Sequence, residues 1–180
     1  NANTASFTNN NLTFLGINSS GTILGSGAVR RAISAAVDRE GLVKNIMFDH
    51  AAAANIPVNP ESWLYNSGYA SVAKDTQKAI EYLAADGWAA EADGILAKKG
   101  AAQTQQLAFS ILVNEENMRR VAVAEAIKKD LSQLGMNVSI QTVPFDKYQQ
   151  RIAAHDYEMF LGSVKIAESY ELSMFAGKDA

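Results

Sequence analysis

Residues 85–112 read ADGWAAEADGILAKKGAAQTQQLAFSIL, a succession of a helix end, a tight hairpin and a core strand. Gly87 follows an apolar helix face and lacks the Cβ that would clash in a left-handed helix stop. Asp93 and Gly94 form a turn dipeptide. Apolar residues then alternate with smaller or more polar ones at strand spacing, at Leu107, Phe109, Ile111 and Val113. The stretch therefore predicts the junction between a helix and a sheet.

Upstream of this junction, a short strand and three helices are predicted. Leu12–Asn18 is apolar enough for a buried strand. The first helix has an apolar face at i, i+3, i+4 spacing, formed by Val29, Ala32, Ile33, Ala36 and Val37. Asp38 and Asp75 are the predicted N-caps of the next two helices, because a carboxylate accepts from the free N–H groups of a first turn. The inward face of the third helix is predicted at Ala79, Ile80, Leu83 and Ala84.

Downstream, helices and strands alternate. Asn114 is the predicted N-cap of the longest helix, with Glu115 and Glu116 in its first turn, where the helix dipole favours anions. Asp146 is the predicted cap of a shorter helix. Further strands are predicted over residues 136–143 and 157–164. This order of elements predicts an α/β fold, with a right-handed crossover wherever strands run parallel.

Composition narrows the possible functions. The hydrophobic share of 48% is enough for a packed core. The net charge of −3 and the scattered Lys and Arg residues argue against a nucleic-acid surface, which needs clustered cations. The absence of Cys excludes disulfides and thiolate metal sites. These totals argue against a nucleic-acid-binding protein and against a disulfide-based fold.

No motif for catalysis or metal binding stands out. The two histidines, His50 and His155, lie a hundred residues apart without acidic residues at ligand spacing, so we predict no metal site. A P-loop, a dinucleotide fingerprint and a Gly-x-Ser-x-Gly elbow are all missing. We therefore expect neither an enzyme nor a bound cofactor.

Several motifs, in order, resemble the family 5 extracellular solute-binding proteins of ABC importers. They are Val-Arg-x-Ala-Ile with a later Asp-Arg (29–39), a segment with Pro57 and Pro60, Gly-Trp-x₄-Asp-Gly-Ile-Leu-x-Lys-x-Gly (87–100), the helix and strand over 124–138, and Asp-Tyr-Glu-Met (156–159). The sequence departs from the family pattern in lacking a proline before the first helix and in having Ser163 where a Trp is usual.

The resemblance implies one lobe of a two-lobed binding protein. The expected fold is a periplasmic-binding-protein-like (type II) lobe with a mixed sheet flanked by helices. Residues 1–11 are expected to be a disordered lead-in that begins with a cloning remnant, 12–175 the second lobe, and 176–180 a tail toward the hinge. The implied partners are a peptide or other small solute, ABC permease subunits and the first lobe of the same protein. The implied location is extracytoplasmic, and a lipid anchor outside this segment is the only membrane attachment expected.

Candidate ligand contacts come from the carboxyl end of the last strand and from the proline-containing segment. Ligands of open α/β sheets bind beyond the carboxyl ends of strands. The site is therefore predicted at Ser163, Val164, Lys165, Glu168 and Tyr170. Glu168 takes the place of the acidic residue that pairs with a peptide α-ammonium in the resembled family, or else is a solvated carboxylate. Trp63 and Tyr65 are either ligand-facing aromatics or anchors of a long loop to the core.

A second hypothesis stays open from the sequence. The chain could be a stand-alone α/β module that uses the same face to bind a protein partner or to sense a signal. A complete first lobe encoded in the same gene would favour the importer hypothesis, whereas a start codon directly before residue 1 would favour the stand-alone module.

Overall fold

The computed structural model describes residues 9–66, 68, 73–100 and 103–167, and it has helices packed on a mixed sheet. The strands are β1 (Asn11–Ile17), β2 (Ala89–Ala90), β3 (Leu96–Lys99), β4 (Thr104–Gln106), β5 (Ala108–Asn114), β6 (Asn137–Val143) and β7 (Met159–Lys165). The helices are α1 (Gly27–Ala36), α2 (Arg39–Asn45), α3 (Thr76–Ala85), α4 (Met118–Ser132) and α5 (Phe145–Ala153). The predicted α/β class and mixed sheet are confirmed.

The four-stranded main sheet has the order β1-β7-β5-β6. Strand β5 runs parallel to both β6 and β7, whereas β1 runs antiparallel to β7. The first and last strands of the described chain are thus neighbours, with Asn11 opposite Lys165 and Ile17 opposite Met159. Because β1 begins at Asn11, it takes in the final residue of the predicted lead-in.

Strand β5 is the centre of the core. Its alternating sequence predicts one inward face, yet Leu112 and Ser110 on the other face are buried as well. A strand with parallel neighbours on both sides is usually covered on both faces, so burial extends along the whole of it. The main apolar cluster joins this strand to α1, α3 and α4, and its fully buried members include Val29, Leu83, Ile111, Val113, Leu131 and Met159.

Side-chain caps begin four of the helices, and two of these caps agree with the prediction. Asp38 accepts from the N–H of Gly41, and Asp75 accepts from the N–H of Lys78, as predicted. On α3, however, the predicted inward position of Ile80 is wrong, because this side chain is 46% exposed. Ala84 is exposed too, and the half-buried Tyr82 packs against the core instead, so the inward face is rotated.

Helix α4 starts later than predicted. Strand β5 continues through Asn114, and the N-cap is Asn117, whose side chain accepts from the N–H of Arg120. Asn114 instead accepts from the N–H of Glu116 in a turn ahead of the helix. Glu115 and Glu116 therefore precede the helix and do not lie in its first turn. The physical reason is that two Asn residues three positions apart offer the same capping chemistry, and the strand pairing of Asn114 with Val143 decides between them.

The hairpin region forms a second, three-stranded antiparallel sheet, β2-β3-β4. Gly87 and Gly94 have φ of +88° and +80°, which confirms the predicted helix stop and turn. Gly135, after α4, has φ of +81°, and its carbonyl accepts from the N–H of Leu96 at 2.7 Å. The end of α4 is thereby fastened to the hairpin.

Asp86 connects three separate parts of the chain. Its carboxylate accepts from the Ser26 hydroxyl at 2.9 Å and from the Trp88 indole N–H at 3.0 Å, and Lys98 Nζ lies 3.3 Å away. Burial would raise the pKa of this carboxyl, but its three donors and the charge of Lys98 outweigh that effect and hold the pKa below its ordinary value of 3.8. The start of α1, the end of α3 and strand β3 thus share one charged residue.

We expect Asp86→Asn to lower the free energy of unfolding by about 1 kcal/mol near neutral pH, because charge-assisted hydrogen bonds become neutral ones. A carboxyl with a depressed folded-state pKa stabilises the fold above pH 3.8 and loses that contribution as pH falls through the folded-state value. The difference between the two proteins should therefore shrink on acidification. Urea unfolding at about pH 7, 5 and 3 measures it. A difference that stays constant over this range would contradict the prediction.

Candidate functional site

A groove of about 1950 Å³ lies at the carboxyl ends of β5 and β7. Strand β1 forms one side, α1 and α2 form another, and residues 49–61 and the first turn of α4 complete it. In open α/β sheets this edge is where ligands bind, because successive loops diverge there. The groove is therefore the candidate site.

The turn between β5 and α4 positions one wall of the groove. Asn114 is buried, and its side chain closes the turn on the N–H of Glu116, while Asn117 caps the helix that follows. These two bonds leave Met118 (73% exposed) and Arg119 on the groove wall. Neither residue was predicted as part of the site, because their positions depend on where α4 begins.

Glu116 joins this turn to the next strand–helix connection. Its Oε1 accepts from the N–H of Phe145 at 3.1 Å. Phe145 is the first residue of α5, and the cap residue there is Pro144, which makes no side-chain capping bond. The prediction that Asp146 caps this helix is therefore wrong: Asp146 lies in the first turn, and Glu116 supplies an acceptor from a neighbouring loop.

Three of the predicted site residues line the groove together: Ser163, Val164 and Lys165. They belong to the last part of β7 and not to a loop beyond it, since they pair with Thr13, Leu12 and Asn11. The hydroxyls of Ser163 and Thr13 lie 3.0 Å apart. The strand extends further than predicted because β1 pairs with it to its end.

The aromatic candidates lie outside the groove lining. Trp63 is 90% exposed, so the hypothesis that it anchors the loop to the core is wrong. Tyr65 is half-buried, and its N–H donates to the carbonyl of Ser62 at 2.9 Å. Glu168 and Tyr170 fall outside the described residues. The proline-containing segment before Trp63, by contrast, does line the groove, as the resemblance implies.

Five cationic side chains line the groove: Arg30, Arg39, Arg119, Arg120 and Lys165. Arg30 donates to the carbonyls of Leu24 and Gly25, both at 2.8 Å. Arg39 donates to the Ser34 carbonyl at 2.7 Å, and burial lowers the pKa of its guanidinium below the ordinary value. These bonds hold two arginines beside the groove through neutral acceptors.

The described residues hold no group of three or more His, Cys, Asp or Glu side chains arranged to bind a metal ion. His50 lines the groove, whereas His155 lies after α5 with φ of +55°. None of the helices in the described part of the chain has the length and apolar character that a bilayer span requires. The arrangement offers a concave surface, hydrogen-bonding groups and charge for binding a ligand.

Comparisons with known proteins agree on one family. The profile described as "Bacterial extracellular solute-binding proteins, family 5 Middle" matches residues 1–171. The chain is similar to the oligopeptide-binding protein AppA of Bacillus subtilis, with 31% identity over 134 residues that cover 72% of this chain and 24% of AppA. It also resembles a probable D,D-dipeptide-binding periplasmic protein, DdpA of Escherichia coli, at 25% identity over 89% of this chain and 28% of DdpA.

Solved structures share the fold. AppA of Bacillus subtilis in complex with a nonapeptide superposes with a TM-score of 0.76 at 25% identity, over 86% of this chain and 31% of AppA. NikZ of Campylobacter jejuni in complex with Ni(L-His) gives a TM-score of 0.77 at 25% identity, over 87% of this chain and 30% of NikZ. The chain thus spans about a quarter of the length of the curated relatives it matches first, 24% and 26%.

Proposed function

Because this chain belongs to family 5 of the bacterial extracellular solute-binding proteins, we propose that it binds a peptide as one lobe of a substrate-binding protein for an ABC importer. Residues 12–175 are proposed as the second lobe, and the first lobe is proposed to lie elsewhere in the same full-length protein. The two lobes close on the ligand by a hinge motion. Binding without chemical conversion is the proposed activity.

The groove at the carboxyl ends of β5 and β7 is the observation that supports a peptide best. Its volume of about 1950 Å³ exceeds the roughly 300–1,000 Å³ typical of sites for small molecules. Strand β1, residues 49–61 and the end of β7 together border it. An extended peptide fills such a shape better than a compact metal chelate. The nonapeptide complex of AppA supports the same choice by similarity.

The proposed setting follows from the family. We propose that the full-length protein acts outside the cytoplasm, at the cell surface or in the periplasm, and delivers its ligand to permease subunits. A lipid anchor outside this segment is proposed as the membrane attachment. No membrane or nucleic-acid contact is proposed for residues 12–175.

Mass spectrometry of ligands that copurify with the full-length gene product tests the proposal. The protein is purified without denaturation, its ligands are released with acid and identified by fragmentation, and an unrelated secreted protein from the same host is the control. We expect peptides to be enriched over the control. A sugar, a nickel chelate or an amino acid found in stoichiometric amount, without peptides, would contradict the peptide assignment.

Glu168 is proposed to pair with the α-ammonium of the ligand, and Tyr170 to lie against the ligand. The proposal rests on the position of Glu168, three residues beyond the groove-lining end of β7. We expect Glu168→Gln in the full-length protein to weaken binding of a pentapeptide about tenfold, since a charge-assisted bond becomes neutral. Calorimetry with the same peptide acetylated at its N-terminus is the control. Equal affinity of the unmodified protein and the variant for the peptide with a free N-terminus would contradict the proposed role of Glu168.

Trp63 and Tyr65 are proposed as further ligand contacts. The exposed indole of Trp63 is available to a ligand or a closing lobe. Large aromatic side chains contribute much of the apolar contact in binding sites. Ser163, Val164 and Lys165 are the proposed contacts from β7.

A further inference from the structure

The groove and the rest of the chain differ in charge. The whole chain has 16 Lys and Arg residues against 19 Asp and Glu residues. The groove lining has five cations against three acids, which are Asp49, Glu61 and Glu116. The lining therefore carries a net charge of +2 (five minus three), while the chain carries −3. A cationic groove lies in an anionic protein.

None of the ion pairs between described residues includes a cation of the groove. Within the described ranges, the ion pairs are Lys74–Asp130, Lys98–Asp86 and Arg151–Asp156, and none of these residues lines the groove. Two of the groove arginines, Arg30 and Arg39, donate hydrogen bonds to backbone carbonyls, and Arg39 also donates to the hydroxyl of Ser34. A guanidinium held by neutral acceptors keeps its full charge available to a ligand.

The three acids of the groove offset only part of this charge. Glu116 is the acceptor for the N–H of Phe145, and that bond turns its carboxylate toward the start of α5. Asp49 is exposed in a turn where it and Phe48 both have positive φ, +58° and +51°. Counting all three acids at full charge still leaves the lining positive.

We propose that the groove selects peptides with a net negative charge, contributed by Asp or Glu side chains. The inference rests on the proposed function and names the class of peptide. Clefts of one sign with low-dielectric walls focus the electric field and concentrate ligands of the opposite sign. Arg119 and Lys165 are the specificity-determining residues, since they lie at the ends of the elements that carry the groove, α4 and β7. The ligand α-ammonium is common to all peptides and does not alter this preference.

The test compares three pentapeptides, Ala-Ala-Xaa-Ala-Ala with Glu, Gln or Lys at Xaa, on the full-length protein by calorimetry. We expect the Glu peptide to bind about tenfold more tightly than the Lys peptide at low salt, and the ratio to fall toward threefold at about 0.5 M salt. The Gln peptide has no charged side chain, so its binding tests the proposed peptide binding separately from the charge preference. Binding of all three peptides with equal affinity, or tighter binding of the Lys peptide, overturns the charge preference and leaves peptide binding intact. Failure of all three to bind overturns both.

A variant pair locates the preference. Arg119→Gln with Lys165→Gln should reduce the ratio of Glu-peptide to Lys-peptide affinity to about threefold or less at low salt. The control is Lys99→Gln with Lys147→Gln, which removes the same charge from exposed positions outside the groove. The control should keep the ratio of the unmodified protein. An equal fall in both variants would show that overall charge, and not the groove, sets the preference.

Discussion

Gly135→Ala is expected to lower the free energy of unfolding by about 3 kcal/mol, from two costs that act together. The residue has φ of +81°, a left-handed conformation that an alanine adopts only under strain. A Cβ at this position would lie 2.6 Å from the carbonyl oxygen of Gly94 and 3.1 Å from Leu96 Cγ. The oxygen belongs to the backbone of the hairpin, and the hairpin is bonded back to Gly135 through the N–H of Leu96. Relief of the clash therefore breaks the contact between α4 and the second sheet.

Gly94→Ala is the matched control. This glycine has nearly the same φ, +80°, but nothing lies within 4 Å of the position its Cβ would take. It should cost about 1 kcal/mol, the conformational part alone. Urea unfolding of both variants followed by circular dichroism gives the comparison. Equal losses in the two variants would show that the backbone conformation, and not the contact of the two turns, determines the cost.

The isolated 180-residue chain is expected to bind a peptide at least about a hundredfold more weakly than the full-length protein, a loss of about 2.7 kcal/mol. The groove is partly open to solvent, and the chain spans only about a quarter of the length of its first relatives. A ligand held by one lobe keeps much of its surface in water, and the closure that buries it cannot take place.

Calorimetry of both proteins with the Glu-containing pentapeptide measures this difference. Far-ultraviolet circular dichroism of the isolated chain shows whether its helices and strands are formed. A folded chain that binds within about tenfold of the full-length protein would contradict the prediction and favour a stand-alone binding module.

Local chemistry explains which parts of the fold could be predicted from sequence. Asp38, Asp75, Gly87 and Gly94 act through their own side chains or their own φ, so their roles are readable from the residue type and its neighbours. The start of α4 was not readable in this way. Asn114 and Asn117 offer the same cap, and the pairing of β5 with β6 decides which of them begins the helix.

The site was predictable at one wall only. The carboxyl end of β7 follows from the order of elements, and the groove contains Ser163, Val164 and Lys165. The opposite wall needs tertiary structure, because the positions of Met118 and Arg119 depend on the turn that Glu116 fastens to α5. The positive charge of the groove could not be predicted from the sequence either, because Arg30 and Arg119 come from distant segments of the chain.

The pairing of β1 with β7 gives the lobe a direction of mechanical weakness. Asn11 lies opposite Lys165 at one end of the pair, and Ile17 lies opposite Met159 at the other. A force that pulls Asn11 and Lys165 apart loads only the backbone hydrogen bonds at that end of the pair. The two strands then separate by unzipping, one hydrogen bond after another. Strand β5, held between parallel neighbours, must instead slide past all its partners at once. Tension applied at this end of the β1–β7 pair is therefore expected to peel β1 away first. The strands at the centre of the sheet then stay paired.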